Sequence, residues 1–435
     1  MKTGTPYILD GKIPLSKALP FGLQHILCMF VANVTPIILL ANITGLENGI
    51  SVALVQNAMI IAGIGTLVQL FPCWKIGARL PIVMGISFTF FSVAVSIAAT
   101  HGMGTLMGAV IVGGIIEGLL GLFAKYWIRI IPPIVSATVV TAIGFSLLPI
   151  GANSFAGGQG AADFGSLDNW IIGSVTLFSC LLCQIFGKGF LRSISVLVGL
   201  VVGYVLSLCM GAVDLSGIHQ TDFVAIPKIL PFKPEFHFGS ILSVLTIFMV
   251  SATETIGDTS ALVAAALGRN TSTREISGSI ACDGFVSSLS GVFGCTPITS
   301  FSQNIGLVAM TKVVNRYSMA TGAVLMIIAG IFPFIGFLLT SIPQAVLGGC
   351  TILIFGTIVY AGLGMVAKCG STSRNLIIVC MSLSVGLGFT QASDIFSIFP
   401  QIIQDIFGEN CVATVFLLAV ILNLIIPKDL TYFEQ

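Results

Sequence analysis

Charged residues are scarce in this sequence, and their scarcity excludes several classes of protein. Only 8% of the 435 residues are Asp, Glu, Lys or Arg, whereas a soluble domain usually carries about 25%. The formal net charge is +1, so the composition gives no indication of nucleic-acid binding. Residues 1–20 lack an apolar run and a cleavage site, so we expect no signal peptide there. No stretch has the composition of a soluble domain that folds alone.

Motifs of intramembrane enzymes are also missing. No His-Glu-x-x-His zinc motif occurs, and Asp258 has no clear second catalytic aspartate on a neighbouring predicted helix. The 11 cysteines are scattered through apolar segments, and the lone C-x-x-C of Cys180 and Cys183 lies inside one of them. Cysteines in such segments usually serve as small apolar residues. We therefore expect no enzymatic activity, no metal site and no cofactor.

Apolar runs, in contrast, are abundant and long. Hydrophobic residues make up 56% of the chain, and runs of roughly 20 apolar residues, enough for a helix to cross a bilayer, recur from end to end. The pattern predicts an all-α polytopic membrane protein with fourteen spans. The predicted spans are 16–41, 50–71, 80–99, 103–124, 132–150, 170–187, 193–213, 238–265, 276–293, 298–312, 318–340, 344–366, 375–392 and 410–427.

The distribution of basic residues supports this count. With a cytoplasmic N-terminus, all of the 18 Lys and Arg residues except Lys228 and Lys233 fall in cytoplasmic segments, as the positive-inside rule expects. One missed or additional span would invert every later loop and destroy the agreement. We therefore predict a multi-pass protein of the cell (plasma or inner) membrane with both termini in the cytoplasm.

The loop at 214–237 lies midway and divides the spans into two halves of seven. Because seven is odd, the second half enters the membrane from the opposite side, which predicts an inverted repeat of the kind found in secondary transporters. A short internal similarity supports the repeat: Ser-Phe-Thr-Phe at 87–90 in the third span resembles Ser-Phe-Ser-Gln at 300–303 in the tenth. The predicted fold is thus a 7+7 inverted repeat.

Both of these spans are predicted to be broken helices with short extended segments. In the stretch 294–316, Gly294 and Pro297 prevent a continuous helix, and broken backbone at membrane depth occurs only where protein encloses it or where it lines a cavity. The free N-termini of two such helices suit a ligand with carbonyl oxygens or negative charge. Phe90 offers an aromatic face, and Gln303 offers a donor and an acceptor. The stretch therefore predicts a pocket for a small planar polar ring.

Four acidic residues fall within apolar segments: Glu117, Glu254, Asp258 and Asp283. A charge at the bilayer centre costs about 2.5–3.5 kcal/mol or more, so each of them needs a reason. Glu254 and Asp258 are four residues apart, on one helix face, and two carboxylates this close in a low dielectric cannot easily both ionise. They are candidates for proton coupling, and the alternative is a structural pair bonded to Ser and Thr. For Asp283, Glu117 and the intramembrane His25, the two interpretations are a direct role in the site and a structural contact such as a hydrogen bond.

At these residues the chain resembles the nucleobase–ascorbate transporter family, the xanthine/uracil permeases. The family's tenth-span signature, Gln or Glu followed by Asn-x-Gly-x-x-x-x-Thr, is matched in full. The resemblance extends from about Pro14 to Pro427 and covers nearly the whole chain. The matching elements are Gln303, Asn304, Gly306 and Thr311 in the signature, Glu254 to Asp258 in the eighth span, Gln24 and His25 in the first, Ser87 to Phe90 in the third, and Cys282, Asp283 and Gly284 in the ninth.

The resemblance implies a core domain that slides against a gate domain in an elevator-like motion, with the gate as the contact of a homodimer. Residues 14–150 would hold core spans 1–4 and gate span 5, and residues 151–237 would hold gate spans 6–7 and the linking loop. Residues 238–340 would hold core spans 8–11, and residues 341–427 would hold gate spans 12–14.

The resemblance also implies roles for individual residues. Glu254 would bind ring N–H groups, Gln303 would pair with the ring edge, and Phe90 would stack on the ring. Gln303 stands where uracil carriers have Glu, which implies a purine such as xanthine or urate. The implied substrate site also includes Thr89, Phe301 and Ser302, the implied proton-coupling residues are Glu254 and Asp258, and the implied supporting residues are His25, Asp283, Asn304, Gly306 and Thr311.

The leading hypothesis is therefore a proton-coupled importer of a purine base, with the nucleobase, the proton and the lipid bilayer as its partners. A uracil–proton symporter is one alternative. A sodium-coupled nucleobase carrier is another, because Asp258, Thr259 and backbone carbonyls are possible ion ligands. An inorganic-anion carrier would need a cationic residue at the site, and the sequence offers none there.

Overall fold

The computed structural model describes residues 5–127, 132–216, 223–400, 403–404, 407 and 411–427. These residues form helices and one two-stranded sheet. Both chain termini, for which a cytoplasmic location is predicted, lie outside the described residues. The helices are α1 (Leu15–Ile43), α2 (Asn48–Leu70), α3 (Phe91–Leu122), α4 (Ala124–Trp127), α5 (Pro133–Phe155), α6 (Leu167–Phe186), α7 (Phe190–Ser193), α8 (Ser195–Cys209), α9 (Phe238–Leu262), α10 (Thr273–Val292), α11 (Ser302–Thr311), α12 (Arg316–Ile331), α13 (Pro333–Thr340), α14 (Gln344–Lys368), α15 (Ser373–Gln391) and α16 (Cys411–Ile425).

The mostly helical architecture with long apolar spans, expected from the apolar runs, is confirmed. Within the described ranges, 8 helices are long and apolar enough to cross a bilayer, and 9 if α12 and α13 count as one span. These two helices meet at an angle of 83°, and Pro333, which has no N–H to donate, begins the second of them. The predicted total of fourteen spans stays a prediction.

Two interruptions of the helices bear on the predicted third, fourth and tenth spans. Inside α3, Gly102 has φ 86° and ψ 166°, a conformation that is open to glycine but not to other residues. This break falls between the predicted third and fourth spans. The predicted tenth span, 298–312, is not one helix, because it contains a strand followed by α11, which is only 10 residues long.

The sheet consists of β1 (Met84–Ile86) and β2 (Ile298–Ser300), which pair antiparallel with Gly85 opposite Thr299. Every residue of both strands is buried. Strand β1 continues through a 3-10 turn, Phe88–Phe90, into α3, whereas β2 continues into α11. Because the strands are antiparallel, the two helices leave the sheet at opposite ends.

Side chains from neighbouring helices satisfy the outer edges of this short sheet. Asn33 Oδ1 accepts a hydrogen bond from Ile86 N at 2.8 Å, and Thr66 Oγ1 accepts one from Met84 N at 3.0 Å. On the other edge, Ser287 Oγ accepts from Ile298 N at 3.1 Å. Unpaired backbone groups at this depth would each cost several kcal/mol, so these three side chains make the sheet possible without further strands.

Small residues allow the closest helix contacts. A Cβ atom at Gly284 of α10 would lie 2.1 Å from the backbone nitrogen of Gly118 on α3. Gly114 and Gly118 are four residues apart on the face of α3 that meets α10, and a Cβ at Gly114 would lie 2.5 Å from Ser288 N. Such small-residue stripes let helix backbones approach in membranes, where apolar burial gives little net driving force.

The helices pack as two sets. The sheet-side set contains α1–α3 and α9–α13 with both strands, and the α14-side set contains α5, α6, α8 and α14–α16. Helix α5 also contacts α9, and α8 and α14 contact α1, so the two sets meet along one boundary. The candidate site lies on that boundary.

Candidate functional site

A cavity of about 300 Å³ lies between the two sets of helices, beside the sheet. This volume is at the lower end of the range of small-molecule sites. Its polar wall comes from the segments that leave the two strands and from α9, and its opposite wall comes from α5 and α14. The polar wall carries Thr89, Glu254, Ser300, Ser302 and Gln303.

Glu254 is the acidic side chain of this cavity. It projects from the middle of α9, is partly exposed, and accepts a hydrogen bond from Thr89 Oγ1 to its Oε2 atom at 3.0 Å. Thr89 lies in the 3-10 turn after β1, so this bond joins the eighth predicted span to the third. The sequence singled out both residues, and the structure brings them together at one cavity.

Gln303 faces the cavity from the first turn of α11 and is exposed to it. Among the described residues its amide makes no hydrogen bond, so both its donor and its acceptor are available to a ligand. Phe301, the residue before α11, and Ser302 line the cavity beside it. The first N–H groups of a helix have no partner inside the helix, and two residues of this first turn, Ser302 and Gln303, line the cavity.

Phe88 lines the cavity together with Phe301, whereas Phe90 does not. Phe90 is 1% exposed and packs against Phe248 of α9 with ring centroids 4.6 Å apart. Phe88 lines the cavity and meets the ring of Phe355 on α14 at 5.1 Å. Phe90 lies away from the cavity because residues 88–90 form a 3-10 turn, and its expected stacking on the ring stays a prediction. At three residues per turn, positions two apart point in different directions.

Asp258 lies one helical turn beyond Glu254 and holds the start of α11. Ser300 Oγ donates to its Oδ2 atom at 2.8 Å, and Ser302 Oγ donates to its Oδ1 atom at 2.9 Å. Its side chain does not line the cavity, yet it contacts two residues that do. Both the coupling role and the structural alternative expected from the sequence are compatible with this position.

Asp283 is completely buried behind β2 and away from the cavity. Its carboxyl group accepts hydrogen bonds from Thr255 of α9, from Thr299 of β2 at 3.0 Å, and from Gln69 Nε2 of α2 at 3.3 Å. Three elements of the sheet-side set are therefore fixed by one acid. Thr255 and Thr299 are direct neighbours in sequence of Glu254 and Ser300, so Asp283 positions the polar wall from behind.

His25 and Asn304 form a second supporting contact. Asn304 Nδ2 lies 3.2 Å from His25 Nδ1 and donates to the backbone oxygen of His25 at 3.0 Å, which ties α11 to α1. Neither side chain lines the cavity. The remaining signature residues belong to the helix itself: Thr311 Oγ1 donates to Leu307 O at 2.8 Å in the last turn, and a Cβ atom at Gly306 would meet open space.

Glu117 lies in the contact between α3 and α10 and has no exposed surface. Neither of its carboxyl oxygens has a hydrogen-bond partner among the described residues. An ionised carboxylate in such a place would be very costly, so the neutral, protonated form is the one that this environment accommodates. Glu117 does not reach the cavity, and the structure therefore separates it from Glu254.

The wall opposite Glu254 was not foreseen from the sequence. It is formed by α5 and α14 and is apolar except for Thr357, whose hydroxyl donates to Ile354 O at 2.6 Å. Nothing in the sequence distinguishes these positions from lipid-facing ones, because both are apolar residues in long apolar helices. The residues of this wall are Val140, Ile143, Ile354, Thr357, Ile358 and Ala361.

Known proteins resemble this chain in both sequence and fold. The transmembrane domain of the cyanobacterial bicarbonate transporter BicA has a similar fold, with a TM-score of 0.61 at 15% identity, covering 86% of this chain and 98% of that domain. The xanthine permease of Bacillus subtilis is 34% identical over 418 residues, which is 94% of this chain and 93% of that protein. The uric acid permease PucK of the same organism is 35% identical over 379 residues, 86% of this chain and 88% of that protein.

Residues 16–395 also match the family model Xan_ur_permease, which is described as a permease family. The match spans the cavity, the sheet and the signature at α11, and it confirms the resemblance carried by Gln303, Asn304, Gly306 and Thr311. With a family match over most of its length and relatives of this similarity, the chain belongs to the xanthine/uracil permease family and is a permease rather than an enzyme.

Proposed function

We propose that this protein takes up a purine base, xanthine or urate, together with a proton. The observation that carries the proposal is the convergence of Glu254 and Gln303 on one cavity of about 300 Å³. A carboxylate accepts hydrogen bonds from ring N–H groups, and a primary amide offers a donor beside an acceptor. Together they complement the edge of an oxidised purine, which alternates N–H and C=O groups. The two Bacillus subtilis relatives are named for xanthine and for uric acid.

The rest of the cavity suits a flat ring. Phe88 contributes an aromatic face on one side, and Ile354 and Ile358 contribute apolar surface on the other. Thr89, Phe301 and Ser302 complete the proposed substrate site around the edge of the ring. In this arrangement the ring buries its faces against apolar groups while its polar edge is bonded, which is the usual pattern of small-molecule sites.

Proton coupling is assigned to Glu254 and Asp258. The two carboxyls are one helical turn apart, and both contact hydroxyls of the segments that build the cavity, Thr89 for the first and Ser300 for the second. Loss or gain of a proton at Glu254 changes the bonding that a ligand meets. A sodium-coupled carrier is the alternative, with Asp258 and Thr259 among the ion ligands.

The two sets of helices correspond to the proposed core and gate. The sheet-side set would carry the substrate, and the α14-side set would provide the apolar surface along which it slides and the contact of a homodimer. The broken third and tenth spans and the 7+7 repeat belong to the same proposal, as do the cell-membrane location and the cytoplasmic termini. The antiparallel sheet with helices leaving at opposite ends supports it.

Competition by a panel of bases tests the proposed substrate. Cells that lack their own base carriers would express the protein and take up radiolabelled xanthine, with unlabelled xanthine, urate, uracil, adenine and hypoxanthine as competitors. We expect xanthine or urate to compete most strongly, because their edges match both Glu254 and Gln303.

Each result of the panel separates the candidates. Uptake of radiolabelled uracil, measured in parallel, without uptake of labelled xanthine would favour the uracil symporter. Uptake of both labels no greater than that of cells carrying the empty vector, with the protein present in the membrane, would contradict nucleobase transport. A Glu47→Gln variant, altered at an exposed acid in the turn before α2, serves as the control for expression.

A further inference from the structure

A second and larger cavity, of about 860 Å³, lies at the end of the sheet-side set that is predicted to face the cytoplasm. Its walls come from the segment before α1, the loop between α2 and β1, the loop between α9 and α10, and the start of α12. Six charged side chains face it: Arg79, Arg269, Arg274, Arg316, Asp10 and Glu275. We refer to it as the arginine cavity. It shares no residue with the cavity of Glu254.

The two acids of the arginine cavity do not balance its four arginines. Asp10 is shared, since Arg79 Nη2 lies 3.3 Å from its carboxyl and Arg316 also pairs with it. Glu275 pairs with Arg269 at 2.5 Å. The Arg269 guanidinium holds the pKa of Glu275 down at about 2, so this pair stays ionised at physiological pH. The cavity therefore keeps an excess of two positive charges.

Arg274 has no acidic partner among the described residues. Its guanidinium donates instead to backbone oxygens of the α2–β1 loop, to Trp74 O at 3.0 Å and to Lys75 O at 3.1 Å. These bonds fix the loop in an unusual shape, with Trp74 at φ 55° and Arg79 at φ 60°. Non-glycine residues in this region are strained and persist only where the surroundings determine the conformation.

The side chains at the mouth of the cavity are accessible. Arg79 has 64% of its side chain exposed and Arg269 has 45%. Trp74 is 73% exposed, and Lys75 Nζ lies 5.1 Å from the centre of its ring. Arg316, in contrast, is buried, and its contact with Leu70 O makes it part of the framework. A ligand would thus meet Arg79, Arg269 and Trp74 first.

We propose that the arginine cavity binds a phosphate-bearing anion. Guanidinium groups present paired N–H donors that match phosphate oxygens, and an excess of positive charge in a concave site attracts such an anion. Two sources share this chemistry: the headgroup of an anionic phospholipid in the cytoplasmic leaflet and a soluble phosphate ester of the cytoplasm. An exposed Trp beside a Lys at the membrane surface is compatible with the first.

The test measures binding by the purified full-length protein at constant ionic strength. One arm titrates inorganic pyrophosphate in a neutral detergent, and the other compares nanodiscs of phosphatidylglycerol with nanodiscs of phosphatidylcholine. The readouts are the thermal unfolding midpoint and the fluorescence of Trp74, measured with Trp127 and Trp170 replaced by Phe. If the protein responds to both ligands, the cavity recognises the phosphate group that they share. A response to phosphatidylglycerol alone identifies the lipid as the source, and a response to pyrophosphate alone identifies the soluble phosphate ester.

Two variants that change the charge of the cavity in opposite directions make the test specific. Arg79→Gln should weaken binding about tenfold or more, because one charge-assisted hydrogen bond is lost. Glu275→Gln should strengthen it, because the excess positive charge rises while Gln can still cap α10. The matched control is Arg192→Gln, an exposed arginine of α7 away from this cavity, which should bind as the wild type does.

Two results would overturn the proposal. One is the absence of any response to pyrophosphate or phosphatidylglycerol in the wild-type protein. The other is an equal response of the Arg79→Gln and Arg192→Gln variants, which would show that binding depends only on the overall charge of the protein. Because the readout is binding and not uptake, either result is independent of the proposed transport function.

Discussion

Only one of the two carboxyl oxygens of Glu254 makes a hydrogen bond within the described part of the chain. Its Oε2 atom accepts the hydrogen bond from Thr89, whereas Oε1 makes no hydrogen bond among the described residues. The same side chain can therefore bind a ring N–H in the cavity without giving up its contact with the neighbouring segment. At the scale of single residues, the proposed substrate contact and the proposed coupling meet in this one carboxyl group.

The Glu254→Gln variant tests both roles, since it keeps the shape of the side chain and removes its ionisable group. Loss of a hydrogen bond to a charged group costs about 1.5–3 kcal/mol, so we expect affinity for the base to fall roughly 10–100-fold. Accumulation against a gradient should be abolished. Initial rates and final levels of labelled xanthine measure the two effects separately. Normal accumulation by the variant would remove Glu254 from coupling.

The sequence was informative about this site wherever a polar residue stood in an apolar segment. Glu254 and Gln303 were singled out in this way and Thr89 and Ser302 through the family resemblance, and the structure places all four at one cavity; their binding roles stay a proposal. Phe90 does not line the cavity in this structure, where residues 88–90 form a 3-10 turn, and its stacking role stays a prediction. Side-chain direction depends on the local backbone, which the sequence alone did not determine.

At the scale of elements, the polar wall depends on how closely α3 and α10 approach. Helix α10 carries Asp283, and Asp283 holds Thr299 of β2 and Thr255 of α9. A displacement of α10 by even a fraction of an ångström would loosen these bonds. Gly118 and Gly284 permit this approach, since a Cβ atom at Gly284 would meet the backbone of Gly118 and a Cβ atom at Gly118 would meet the ring of Phe285.

A Gly284→Ala substitution tests this dependence. The added Cβ would lie 2.1 Å from the backbone nitrogen of Gly118, and backbone cannot move aside as a flexible side chain can. We expect a destabilisation of about 1–3 kcal/mol or more, typical of overpacking, although Ala is the better helix former. The thermal unfolding midpoint in detergent measures it.

Gly364→Ala on α14 is the matched control, because a Cβ there would meet no atom within 4 Å. The control should be neutral or slightly stabilising, by up to about 1 kcal/mol. If the two variants unfold at the same temperature, the close contact between α3 and α10 does not limit stability.

Sequence reasoning located some element boundaries and missed others, even where a chemical marker such as proline was present. Gly294 and Pro297 come just before the strand that precedes α11, whereas the sharp bend before Pro333 was not foreseen, because 318–340 was predicted as one span. The apolar wall from α5 and α14 had no marker. Its residues come from helices far apart in the chain, and only the packing of the two sets distinguishes them from residues that face lipid.

At the scale of the whole molecule, the two sets of helices meet at a boundary that is polar on one side and apolar on the other. Thr89, Glu254 and Gln303 belong to the sheet-side set, and Ile354 and Ile358 belong to the α14-side set. A flat apolar wall forms few directional bonds with the ligand. Sliding of one set against the other would therefore leave the bonds to the base intact.

A proton ionophore tests the energy source of this movement. If a proton accompanies each base, collapse of the proton gradient should reduce accumulation of labelled xanthine to equilibrium, whereas replacement of sodium by choline should have no effect. The reverse pattern would favour the sodium-coupled alternative. Exchange of labelled for unlabelled base across the membrane should survive the ionophore and serves as the internal control for an intact carrier.

The antiparallel sheet has a consequence for how this protein tolerates inserted residues. Successive side chains of a strand point to opposite faces, so one extra residue within 84–86 or 298–300 would rotate every later side chain of that strand by half a turn. Ser300 would then point away from Asp258, and the start of α11 would be misaligned with the cavity. The six paired residues therefore fix how two spans more than 200 positions apart are aligned. We expect inserted residues to be tolerated only in the loops outside the two strands.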